Sequence, residues 1–148
     1  MKLIEIRRFV VHGDPVGKAR PRFTAARGYA KAYTPKNTED YEKKVKSSYL
    51  RVFADAEPFK YEVTVDIKAY FHIPPSYSKK KKRMIMEGNM HPAKKPDNDN
   101  ILKIIQDALN GIAYTDDKII VASREQKLYT SGPEGYVVIT ISGYEADD

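Results

Sequence analysis

Residues Tyr61–Ile73, YEVTVDIKAYFHI, alternate apolar and polar side chains more regularly than any other stretch of the chain. Tyr61, Val63, Val65, Ile67, Ala69, Phe71 and Ile73 fall on one side of an extended backbone, and Glu62, Thr64, Asp66, Lys68 and His72 fall on the other. This pattern predicts a strand with one face on a core. Upstream, Tyr41, Val45, Tyr49, Val52 and Phe53 recur at helical spacing, predicting a helix that begins at Thr34-Pro35 or Thr38 and carries Glu39 and Asp40 in its first turn, where the helix dipole favours anions. Leu3–Val11 reads as a first strand. Downstream, Ile101, Ile104, Ile105, Ala108 and Leu109 form the apolar side of a helix over Asp99–Asn110, which Gly111 stops. Lys118–Tyr129 and Tyr136–Ser142 read as strands joined by the turn Ser131–Gly135, an expected antiparallel hairpin. Together these elements predict a single α+β domain, a mixed sheet with two main helices packed on one face.

A chain of 148 residues fits one domain over positions 1–148 and is long enough to bury a core. With no cysteine, disulfides, zinc-thiolate sites and cysteine nucleophiles are excluded. No apolar run is long enough to span a membrane, and a cytoplasmic location is expected. The formal charge of +6 suits a polyanionic partner. Its cations concentrate in two irregular stretches, 13–33 and 74–96. In the first, Lys18, Arg20 and Arg22 would share one side of an extended arm around Pro21. In the second, Lys79, Lys80, Lys81, Lys82 and Arg83 form a basic run, predicted as a short helix ending at Gly88, with Lys94 and Lys95 following in a loop. These ten cations are the expected DNA contacts. A solvated surface would explain either group alone. Glu145–Asp148 reads as a frayed acidic tail.

Against this basic background, acidic groups gather near the second main helix: Asp97, Asp99, Asp107, Asp116 and Asp117, with Lys103 among them. Carboxylates crowded together destabilise one another unless a cation lies between them. Oxygen-only donors suit Mg²⁺, which takes few protein ligands and completes its shell with water and phosphate oxygens. Because Lys95 precedes a proline, the chain should enter the helix extended, placing Asp97 and Asp99 on one side with Asp99 near the N-cap. Lys103 lies one turn on, and Asp117 can close the set. Such a constellation suits phosphodiester hydrolysis: carboxylates fix a metal, the metal activates water, and a lysine stabilises the crowded phosphorane. The same residues also allow a plain structural explanation, an Asp-capped helix with an Asp99/Lys103/Asp107 surface ladder, although exposed pairs contribute only about 0–1 kcal/mol. His12, His72 and His91 form no metal motif, His91 being the least improbable ligand of the three.

The run KPDNDNILKIIQDALNGIAYTDDKII (95–120) resembles the signature of the RusA family of Holliday junction resolvases, small phage- and prophage-associated endonucleases acting on four-way DNA junctions. GKARPR, AYTPKNTEDYEKKV and SYSKKKKR resemble longer members, so the similarity covers most of the chain. The resemblance implies catalytic, metal-binding roles for Asp97, Asp99 and Asp117, a required role for Lys103, and supporting roles for Asp107 and Asp116. Asn98 stands where the family often has leucine. It further implies a homodimer using Mg²⁺, with Mn²⁺ able to substitute, that cuts branched DNA by paired nicks in recombination and repair. Two other functions remain open from the residues: a non-catalytic junction-binding protein with the same fold, and a magnesium phosphohydrolase of small phosphate esters, which would not need the basic arms.

Overall fold

The regular alternation around residues 63–72 resolves into the central strand of a four-stranded sheet. The computed structural model describes residues 2–20, 22–24, 31–33 and 35–146, with backbone only at 22, 24 and 31–33. The elements in chain order are β1 (Leu3–His12), β2 (Arg22–Thr24), β3 (Lys31–Tyr33), α1 (Lys36–Phe53), β4 (Val63–His72), α2 (Lys79–Met86), α3 (Asn98–Leu109), a single 3₁₀ turn (Asp117–Ile119), β5 (Ile120–Thr130) and β6 (Tyr136–Tyr144). β2 and β3 form a small ribbon within the basic arm, which the sequence had suggested was irregular throughout.

The main sheet has the order β1-β6-β4-β5. β4 runs antiparallel to β6 and parallel to β5, so the sheet is mixed, as expected. The expected β5–β6 hairpin does not form, because β4 lies between those strands. The physical reason is burial. β6 hides Val137, Ile139 and Ile141 completely and β4 hides Val63, Val65, Ile67, Ala69 and Phe71, so these two strands occupy the centre. β5 hides no residue and takes an edge. Residues 131–135 therefore pass over the end of β4, a span of about 10 Å that five residues cover easily. The parallel β4–β5 pairing needs a long crossover, which the segment containing α2 and α3 supplies.

α1 and α3 pack against each other on one face of the sheet, α1 over β1 and α3 over β5. Tyr41, Val45 and Tyr49 of α1 meet Ile101, Ile104, Ile105, Ala108 and Leu109 of α3 in the shared core with Phe9 and Val11. Val52, expected on the buried stripe, is exposed, as is Tyr61, while Phe53 is half-buried. The last turn of α1 makes its contact through Phe53, whose ring lies 5.3 Å from Tyr49. Glu145, expected to fray, is joined to Lys2 through its main-chain N–H at 2.8 Å. The proposed helix start at Thr34 and the tail residues Asp147 and Asp148 lie outside the described residues. Among the described residues no helix is long and apolar enough to cross a membrane.

Phe59 keys the sheet to the segment ahead of the 3₁₀ turn. Its N–H donates to the Ala113 carbonyl at 2.9 Å, and its carbonyl accepts from Thr115 at 2.9 Å. Its ring lies so close to Gly143 that a Cβ there would stand 2.3 Å from Phe59 Cε1. With both main-chain groups of Phe59 bonded, the ring has little room to retreat. Gly143→Ala is expected to lower stability by about 1–3 kcal/mol, read as a lower urea midpoint at unchanged slope.

Candidate active site

The entrance of α3 is built by the basic arm folding back on it. Gly17 lies so close to Pro96 that a Cβ would stand 2.6 Å from the proline Cβ and 3.1 Å from that of Asn100, so only glycine permits this approach. The Lys18 N–H donates to the Asn100 carbonyl at 2.8 Å and locks the arm in place. Between arm and helix lies a cleft of about 370 Å³ lined by Gly17, Lys18, Ala19, Arg20, Lys95, Pro96, Asp97 and Asn100.

Asp97, rather than Asp99, is the α3 N-cap residue, and its carboxylate caps no N–H. The backbone explains the shift: Asp97 is extended, and its carbonyl already accepts from the Ile101 N–H at 3.0 Å. Asp99 occupies the first helical turn. Both are exposed. Among the described residues neither carboxylate has a hydrogen-bond or ion-pair partner.

Further along α3 the charges interlock. Lys103 pairs with Asp107 at 3.1 Å, one turn on, and Asp107 pairs with Lys18 at 3.3 Å. Lys18 pairs in turn with Glu42 of α1 at 2.6 Å. Burial opposes the Lys18 charge, but the hydrogen bonds it donates to Glu42 and Asp107 outweigh this and raise its pKa. Lys18, expected to contact DNA, lines the cleft and also braces arm, α1 and α3 together. The expected Asp99/Lys103/Asp107 ladder reduces to its second rung. Glu42 carried no local sequence signal, since its partners lie far away in the chain.

Asp117 is held from two sides. Gln106 donates to its carboxylate at 3.1 Å, and Asn110 accepts from its main-chain N–H at 3.1 Å. Tyr114 donates its hydroxyl to the Gln106 carbonyl at 2.6 Å. Burial raises the Tyr114 pKa, and the negative charges of Asp117 and Asp107 raise it further. Asp116 accepts from the Lys118 N–H at 2.9 Å, which holds its carboxyl below the ordinary value, aided by the neighbouring Asp117. Gln106 stands seven residues, two helical turns, after Asp99, a spacing that could have flagged it. Gln106→Leu is expected to free the Asp117 side chain and reduce any activity that depends on it by roughly 10- to 100-fold, with little change in the far-ultraviolet helix signal.

Asp97 and Asp99 thus stand at the start of α3, Asp107 lies about 12 Å further along its axis, and Asp117 arrives from the 3₁₀ turn beside Gln106. Among the described residues no three His, Asp or Glu side chains come together closely enough to hold a metal ion. The four groups do not converge on one spot as the sequence had suggested. In kind the donors suit a hard cation: all are carboxylate oxygens, and nothing else among the described residues engages Asp97 or Asp99. The histidines stand elsewhere, with His72 bonded to Asp14 at 3.0 Å and His12 and His91 exposed.

Of the expected DNA contacts, Lys18, Arg20 and Lys95 line the cleft. Arg22 is in β2, but its side chain lies outside the described residues. Lys79, Lys80, Lys81, Lys82 and Arg83 form α2, as predicted, and all five are exposed. Lys94 is exposed and lies 5.6 Å from the Phe71 ring.

The profile of the family described as endodeoxyribonuclease RusA matches residues 12–142. An uncharacterized protein of Bacillus subtilis (strain 168), YqaN, is 34% identical over 137 residues, covering 89% of this chain and 94% of its own length.

Proposed function

The chain belongs to the RusA endodeoxyribonuclease family, and from that membership together with the α3 site we propose that it is a Mg²⁺-dependent, structure-selective endonuclease that resolves four-way DNA junctions by paired nicks. The observation that carries the reading is a pair of carboxylates without a partner among the described residues, Asp97 lining the cleft and Asp99 two residues on in the first turn of α3, the cleft's other charged walls being Lys18, Arg20 and Lys95. Anionic backbone and acidic ligands are both served at one place. Asp97, Asp99 and Asp117 are the residues that would hold Mg²⁺ or Mn²⁺, and the ion would lower the pKa of bound water and neutralise developing charge.

Around that centre the side chains have distinct tasks. Arg20 and Lys95 bind flanking phosphates and bring the scissile group to the entrance of α3. Lys103 presents an ammonium whose direction is set by Asp107, and it stabilises negative charge on the phosphorane oxygens. Lys18 and Glu42 fix Asp107 in turn. Gln106 and Asn110 hold Asp117 in one orientation, and Asp116 caps the turn that delivers it. As a homodimer the protein would present two equivalent sites to a substrate of near two-fold symmetry, one for each opposed strand, as recombination and repair of branched DNA require.

One observation favours a second reading: among the described residues no three carboxylates stand together. A non-catalytic junction-binding protein would keep the fold and the cations and need no such cluster. A synthetic four-way junction, end-labelled on each strand in turn, separates the two when incubated with protein in Mg²⁺, in Mn²⁺ and in EDTA. Symmetric nicks in the metal-containing samples, absent from linear duplex of the same sequence, support the nuclease. Salt-sensitive binding without nicks under every condition establishes the alternative.

A further inference from the structure

α2 is attached to the protein by something other than the main core. It has no buried residue. Beside it runs an aromatic strip on the helix-bearing side of the sheet edge: Tyr77 and Tyr129 meet edge to face at 6.2 Å with their hydroxyls 3.3 Å apart, and Phe71 of β4 is in register with Tyr129 of β5. Three ammonium groups stand over this strip, Lys81 at 4.8 Å from Tyr77, Lys94 at 5.6 Å and Lys127 at 5.7 Å from Phe71. Lys127 also donates to the Lys94 carbonyl, tying the loop that leads into α3 to the edge strand.

Two cations sharing one ring repel each other, and the five cations of α2 add to the same field. Among the described residues none of these side chains has a carboxylate partner. Attraction to the rings offsets only part of that repulsion, about 0.5–1 kcal/mol for an exposed contact. An arrangement of this sort is satisfied by a polyanion. Eight helical residues extend about 12 Å, matching roughly three phosphates along one strand of a duplex.

We propose that α2, Lys94 and Lys127 form a ridge that seats the sugar–phosphate backbone of a DNA duplex arm, beside the α3 cleft and separate from it. The inference rests on the reading of DNA as substrate. It assigns Lys127 a role that no local pattern in the sequence suggested, and it involves positioning of an arm without reading of bases.

The test uses the full chain in EDTA, so binding is measured without cleavage. Affinity for a four-way junction and for plain duplex is followed against salt concentration for wild type, Lys127→Gln, the double variant Lys81→Gln/Lys82→Gln, and Lys60→Gln at the opposite end of β4. The expected result is a log–log salt slope shallower by about one for each ridge cation removed, on both DNAs, with unchanged circular dichroism and melting and no change for Lys60→Gln. Unchanged slopes in the ridge variants would overturn the ridge while leaving the nuclease reading intact. An equal change from Lys60→Gln would reduce it to net charge and also overturn it, as would tighter binding of an acidic polypeptide than of duplex. Wild type that binds neither DNA would end both this inference and the reading beneath it.

Discussion

Asp99→Asn is expected to leave four-way junction binding unchanged and to lower single-turnover strand cleavage by about a thousand-fold. The substitution is nearly isosteric and removes one charge. In the fold it disturbs little, because Asp99 is exposed in the first turn of α3 and has no side-chain partner among the described residues. The only structural loss is the favourable placement of an anion at a helix start, about 0.3–1 kcal/mol. A large effect on cleavage with a small effect on melting therefore isolates a chemical role. The measurement is single-turnover cleavage of an end-labelled junction at saturating protein, beside binding in EDTA. Equal cleavage rates for the two proteins would remove Asp99 from the proposed chemistry. The same comparison made with Asp97→Asn and Asp117→Asn asks whether the entrance pair and Asp117 act as one site, since a site acting as a unit loses nearly all activity with any member.

Arg7→Met is expected to cost about 2–4 kcal/mol of stability, the largest effect on folding among the substitutions considered. Arg7 is only 6% exposed, on the core-facing side of β1. One terminal nitrogen donates to both the Tyr49 hydroxyl and the Glu57 carbonyl at 2.9 Å, and Glu5 pairs with the guanidinium Nε. The guanidinium carbon lies 3.9 Å from the centre of the Phe59 ring. Met restores much of the aliphatic stem but leaves the Tyr49 hydroxyl and the Glu57 carbonyl without their donor. Burial opposes the Arg7 charge, yet the bonds to Glu5 and Tyr49 raise its pKa above the ordinary arginine value. A raised cation contributes fully below its unfolded value and fades only above its folded one, so the loss should be flat with pH around neutrality. Urea unfolding of the two proteins at neutral pH measures it, and a midpoint within error of wild type would contradict the assignment. Because the Phe59 main chain also holds Ala113 and Thr115, the loosened ring should reach the turn that delivers Asp117. Cleavage is expected to fall modestly as well, and saturating substrate should recover part of it.

Much of the local architecture was legible in the residues. Periodicity reports which side of an element meets a core, and Tyr41, Val45, Tyr49, the alternating side of β4 and the isoleucines of α3 each declared that side. Gly111, with φ of 78° beyond the end of α3, marked a stop that other residues make with difficulty. The carboxylate-rich run from Asp97 to Asp117 could likewise be located without coordinates. Val52 shows the limit of the same signal, since a helical stripe says nothing about where the partner surface ends.

What belonged to the sequence alone was therefore the kind of each element, the side it buries and the chemical character of the α3 region, because each depends on neighbours within a few residues. Only the tertiary structure decided that β4 separates β5 from β6, that Lys18 braces Asp107 and Glu42 while lining the cleft, and that Gln106 and Asn110 hold Asp117. Those outcomes depend on which strand buries most surface and on charges brought together from distant segments. Neither competition leaves a periodic trace in the chain.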